Sequence, residues 1–283
     1  MTSLHSLRSL RSRPATHIRT LAARAALALA LTLPAGLPAL AQTLTDVGFP
    51  SPNTSATFAI SATYSGSDTT QILSIPGSFT GTLIAAPDAN VTFTHGASGT
   101  GGAIFLGTSS TLVLTGTAAG MRGGFLFDSN TATNGAALYL AASSAAFIDS
   151  ATFQNNVASN ANGGGAIFTN AANAKLTLTD VLFDGNKATA GKGGAISYNS
   201  AANATLTITN ALFQNNLALS GNGGAINIDG AATNLTTLTN VTFLSNTATG
   251  AATSAGGAMY VYGGTLAYNV TTTATIAGNT ATG

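Results

Sequence analysis

The sequence predicts an all-β fold: a right-handed parallel β-helix, a β-solenoid of about 30 residues per coil, preceded by a signal peptide. Three observations predict it. Two short signatures recur in phase along most of the chain, the segments between them alternate apolar and polar residues with period two, and no window carries the i, i+3, i+4 apolar spacing of an amphipathic helix. A unit of this size cannot bury its apolar face alone, so successive copies must stack.

The first element is the leader. Arg8, Arg11, Arg13, Arg19 and Arg24 precede any acidic residue, and the apolar run 25–33 leads to a break at Pro34, Gly36 and Pro38 and then to Ala39-Leu40-Ala41. A basic start, a short apolar core and a small-x-small exit describe a secretory signal peptide of residues 1–41, cleaved after Ala41. The run falls short of the ~20 residues that span a bilayer. Residues 42–90 are less regular and read as an N-terminal cap or first irregular coils; residues 91–283 are the repeat β-helix.

Within the repeat region the first signature is Gly-Gly-Ala-Ile, starting at Gly101, Gly164, Gly193 and Gly223, with Gly256-Gly257-Ala258-Met259 as a close copy. The second is Phe-x-x-Asn, at Phe127–Asn130, Phe153–Asn156, Phe183–Asn186, Phe213–Asn216 and Phe243–Asn246, followed by a degenerate Ile276–Asn279. Consecutive Phe are 26, 30, 30 and 30 residues apart. Stacked in register, Phe127, Phe153, Phe183, Phe213 and Phe243 form an aromatic ladder, and Asn130, Asn156, Asn186, Asn216 and Asn246 an amide ladder bonded side chain to side chain.

The strands lie between the signatures. Leu176-Thr177-Leu178-Thr179 and Leu206-Thr207-Ile208-Thr209 alternate as half-buried strands do. Asp180, Asn210 and Asn240 share one column and Asn186, Asn216 and Asn246 another; both are expected in turn conformations, which Asn and Asp tolerate. Gly193 to Phe213, Gly223 to Phe243 and Gly256 to Ile276 are each 20 residues, which places the length variation between Phe-x-x-Asn and the next Gly-Gly.

Paired Gly-Gly-Ala-Ile and Phe-x-x-Asn signatures, interleaved over residues 93–279, resemble the repeats of the chlamydial-type polymorphic outer membrane proteins. The resemblance implies a secreted, non-enzymatic passenger domain, displayed on the outer membrane of a Gram-negative bacterium by a C-terminal autotransporter barrel. It would act as an adhesin on a host or neighbouring-cell surface protein or glycan. The chain shows no run of amphipathic ten-residue strands, as a membrane barrel requires. It ends on Asn279-Thr280-Ala281-Thr282-Gly283, a repeat of residues 246–250 that earlier leads into another coil, so a truncated C-terminus is expected.

Composition narrows the chemistry. The 283 residues include no Cys, which removes disulfide scaffolds, zinc fingers and thiol enzymes. After removal of the leader, Arg122, Lys175, Lys187 and Lys192 face eight Asp, a net charge of −4, so nucleic acid is not an expected partner. A polysaccharide-degrading β-helix would need clustered carboxylates. Asp128 and Asp184 share a column with Gln154 between them, Asp180 and Asp184 flank one strand end, and all three read as turn and surface residues. His95 is a lone turn residue in a worn copy of the second signature, and no repeated calcium loop is present, so no catalytic residue, metal or cofactor is expected. A further alternative is an ice-binding solenoid, because Thr177-x-Thr179, Thr207-x-Thr209 and Thr237-x-Thr239 fall in the same columns on three successive coils.

Overall fold

A computed structural model describes residues 54–58, 62–66, 71–85, 89–116, 124–250 and 255–282. The leader and its cleavage site at Ala41 lie outside the described residues, as do Asp46, Asp68, Asp88 and Arg122.

Every regular element among the described residues is a strand, and the strands pair in parallel into one 12-stranded and two 7-stranded sheets. The molecule is a parallel β-solenoid. One coil illustrates the path. Lys175–Asp184 lies in the broad sheet, Lys187–Ala188 in one narrow sheet and Ile196–Tyr198 in the other; Thr205–Gln214 then begins the next coil. Lys175 pairs with Thr205, Phe183 with Phe213, Lys187 with Leu217 and Ile196 with Ile226, so equivalent letters sit above one another.

The ten-residue strand is two short ones joined at a corner. Leu176 and Leu178 are buried, then Val181 and Phe183, so the inward phase shifts by one residue at Asp180. Asp180 makes that shift by adopting a left-handed backbone, φ 52°, and Ser150, Asn210 and Asn240 do the same at 59°, 53° and 54°. Asn and Asp enter this region at lower cost than most residues because their short polar side chains bond locally.

The corner is also where insertions enter, which corrects the expectation that length varies only before Gly-Gly. Asp149 and Ala151 have Ser150 alone between them, but their partners in the preceding coil, Thr115 and Phe125, are separated by nine residues. Asn269 and Ile276 are separated by six where Thr239 and Phe243 have three. The shared spacing of 20 in the last two coils therefore hides two opposite changes: three residues fewer before Thr265 and three more after Asn269.

The first described strands follow the same plan. Thr54–Phe58 pairs with residues 81–85, and Ala62–Ser65 with Val91–Thr94, so parallel stacking begins before the first Gly-Gly signature.

Candidate interaction surface

The rod is held from inside by two side-chain columns. Phe127, Phe153, Phe183, Phe213 and Phe243 stack with ring centroids 4.7, 4.6, 4.6 and 5.2 Å apart, nearly parallel. The stack extends to Phe93, 5.0 Å from Phe127, and to Tyr64, 5.6 Å from Phe93. Burying each ring contributes about 1.5–3 kcal/mol. The Tyr64 hydroxyl, inside this apolar column, has its pKa pushed up to about 12 by burial.

Beside the rings runs the amide column. Asn130 Nδ2 donates to Asn156 Oδ1 at 3.0 Å, and the same bond links Asn156 to Asn186, Asn186 to Asn216, Asn216 to Asn246 and Asn246 to Asn279. Each Nδ2 also donates to a phenylalanine carbonyl of the coil below, as Asn186 does to Phe153 at 2.9 Å. Each Oδ1 accepts a second bond from a backbone N–H, as that of Asn186 does from Asn156 at 3.1 Å. The amide thus makes four hydrogen bonds at 0% exposure, its full capacity on two donors and two acceptor lone pairs.

The ladder asparagines are not themselves in a turn conformation, which corrects the sequence expectation. The left-handed position is the residue before each of them: Ser129, Asn155, Gly185, Asn215 and Ser245, at φ 53–65°. His95 occupies the same column at φ 55°, a turn residue as its place in a worn signature suggests. The second glycine of each Gly-Gly answers a different demand. A Cβ on Gly194 would collide with the Gly224 carbonyl oxygen and the Leu217 nitrogen, so backbone packs where a side chain would stand.

Two further buried polar groups were not visible as repeats. Asn234, 2% exposed, accepts from the Ala204 N–H and donates to the Ser200 carbonyl, at 3.1 and 2.9 Å. The Tyr198 hydroxyl lies 2.8 and 2.7 Å from the carbonyl oxygens of Ala174 and Thr205, and burial raises its pKa above the ordinary 10.0. Ser197 and Asn227 pair in register in one narrow sheet, and both are buried; Ser197 Oγ and both amide atoms of Asn227 have no hydrogen-bond partner.

The outer surface carries what a partner would meet. On the half of the broad sheet before the corner, Thr177, Thr207 and Thr237 are register partners, as are Thr179, Thr209 and Thr239. They alternate with the buried Leu176, Leu178, Leu206, Ile208, Thr236 and Leu238 and so point outward. Beyond the corner the outward groups bond to one another along the rod. Asp184 accepts from Gln214 Nε2 at 2.8 Å and from Asn215 Nδ2 at 3.0 Å, and Asp128 accepts from Asn155 Nδ2 and Ser129 Oγ at 3.2 and 3.1 Å. Asp180 accepts from Asn210 Nδ2 at 3.0 Å. These carboxylates are held as acceptors in amide pairs rather than gathered into one site. Lys192 and Asp229 form an ion pair at 2.8 Å, each about one-quarter exposed.

An open depression of about 310 Å³ lies at the corner near the inserted 270–275 segment, against Asn210, Leu212, Asn240, Thr242, Leu244 and Thr272, all neutral. Among the described residues no three His, Cys, Asp or Glu side chains are grouped as a metal site would require.

No curated protein and no solved structure matches the chain. The family model described as the Chlamydia polymorphic membrane protein repeat matches residues 150–170 and 180–201. The two matched segments run from the corner at Ser150 through the Phe153–Asn156 rung to the Gly-Gly-Ala-Ile copy at Gly164, and again from Asp180 through Phe183–Asn186 to the copy at Gly193. The central coils of this solenoid are thus similar to the repeats of the Chlamydia polymorphic membrane protein.

Proposed function

We propose that the chain is a surface-displayed passenger domain, a right-handed β-helix that acts as a non-enzymatic adhesin or interaction scaffold. The observation that carries this reading is the family repeat folded as a solenoid in register: the matched segments supply the ladder that makes a stiff rod. The right-handed sense is the one that parallel crossover connections take almost without exception. Export through the leader of residues 1–41 and anchorage by an outer-membrane autotransporter barrel would put the rod outside a Gram-negative cell. Its partner would be a host or neighbouring-cell surface protein or glycan.

Contacts would fall on segments that vary between coils, because insertions in a solenoid emerge on its surface without disturbing the stack. Two positions supply them: residues 247–255, ahead of the last Gly-Gly, and the corner insertions 116–124 and 270–275. Both carboxylate oxygens of Asp184 accept from neighbouring amides, which supports a scaffold over a polysaccharide-degrading enzyme, since a general acid or base must keep an oxygen free for substrate.

The test is adhesion of purified protein to epithelial cells and to immobilised glycans. Shortening residues 247–255 or 116–124 to the length found in a regular coil is expected to reduce adhesion while circular dichroism stays unchanged. Polysaccharide turnover that needs Asp184, lost in Asp184→Asn with or without Ca²⁺, would overturn the reading.

A further inference from the structure

The threonine face of the broad sheet differs in chemistry from the other outward faces of the rod. Thr177, Thr179, Thr207, Thr209, Thr237 and Thr239 form two columns of three, and no hydroxyl among them bonds to any protein group. Past the corner the outward polar groups are spent on one another, as Asp184 is on Gln214. The face also departs from a protein-docking surface. It has no aromatic anchor set in a pocket, and its two charged residues, Lys175 in the column of Thr205 and Asp149 in the column of Thr179, border the threonines without standing among them, unlike the anchors and charge pairs that concentrate binding energy in protein interfaces.

What it has is two-dimensional regularity. Rungs repeat about every 4.8 Å along the rod, and alternate residues of one strand stand about 6.7 Å apart, because both distances are fixed by parallel-sheet geometry. Threonine keeps that regularity at its tip, since β-branching restricts χ1 and the strands beneath are locked in register. Each side chain presents a methyl, which displaces mobile water, and a hydroxyl, which can donate one hydrogen bond and accept two. The middle rung adds Thr205, while Phe147 and Leu235, 42% and 45% exposed, extend the apolar margin.

We propose that this face binds ice. A crystalline water surface repeats in two dimensions and carries no charge; a rigid lattice of six threonine hydroxyls and methyls, with Lys175 and Asp149 only at its border, is its complement. Many weak contacts made at once then replace the few strong ones of a protein interface. This activity is independent of adhesion through the variable segments and would persist if those segments were shortened.

The experiment is thermal hysteresis and ice-crystal shaping by the purified full-length protein, alongside Thr207→Lys and Gln154→Lys. Thr207 sits at the centre of the array, and Gln154 faces outward beyond the corner, so each substitution adds one exposed lysine to a different face. Wild type and Gln154→Lys are expected to show hysteresis and faceted crystals; Thr207→Lys is expected to lose both while keeping the wild-type melting temperature. A folded wild type without hysteresis would overturn the proposal, even if it were retained on crystalline cellulose or chitin. Equal hysteresis in the two lysine variants would also overturn it.

Discussion

Asn186 and Asn227 are the same side chain at the same burial, both 0% exposed, yet they are opposites in bonding. Asn186 stands in the amide ladder with four hydrogen bonds; Asn227, on a narrow sheet beside Ser197, has none on its side chain. Register accounts for the difference. The ladder position carries Asn in every coil from Asn130 to Asn279, so each amide meets its own complement above and below. The Asn227 position runs Phe168, Ser197, Asn227, Tyr260, and no neighbour offers a matching donor and acceptor pair. Repetition of one letter, rather than burial of a polar group as such, turns asparagine into a stabilising core residue.

Substituting each asparagine by leucine sharpens the contrast. Asn186→Leu orphans the Asn156 N–H, one Asn156 amide hydrogen and the Phe153 carbonyl. At about 1–3 kcal/mol for each buried unpaired group, the loss in a denaturant titration is expected near 5 kcal/mol. Phe183→Ala comes next. Its ring is 4.6 Å from both Phe153 and Phe213, and removing it is expected to cost about 3–5 kcal/mol by transfer and cavity terms together. If Phe183→Ala were tolerated and Asn186→Leu were not, the amides alone would be holding the register.

A third measurement reads the same core by pH. Burial holds the Tyr198 hydroxyl protonated above its ordinary 10.0, so as pH rises past 10 the unfolded chain releases a proton that the folded chain keeps. Stability is therefore expected to be intact below pH 10 and to fall above it, and Tyr198→Phe should flatten that fall at a loss of about 1 kcal/mol at neutral pH. The smallest effect belongs to Asn227→Leu. Replacing an unbonded amide by an apolar group of similar size is expected to be neutral or stabilising by up to about 2 kcal/mol; a loss as large as that of Asn186→Leu would break the comparison.

Both ladders were legible in the sequence because each needs one chemical group at one height in every coil, and such a demand writes the same letter at a fixed interval. The corner conformation was legible at Asp180, Asn210 and Asn240 but misplaced by one residue at the second corner. There the requirement is only a positive φ, and Ser, Asn and Gly all meet it, so no letter repeats. Phe93 and Tyr64 were left out of the aromatic ladder because insertions between coils shift their spacing. The role of Tyr198 left no trace either, since Ile228 and Thr169 occupy its neighbouring rungs and its bonds go to backbone carbonyls. The threonine array was legible as a pattern; that its hydroxyls are free needed the structure.

The amide column also has a direction. From Asn130 to Asn246 each side-chain nitrogen donates one bond toward the C-terminal coil and each oxygen faces back, so the side-chain dipoles add head to tail instead of cancelling. Polarisation along such a chain strengthens every link. Like the aligned peptides of a helix, the column points its negative end toward Asn130 and its positive end toward Asn279, whose own amide nitrogen is taken up by the carbonyls of Phe243 and Ala277.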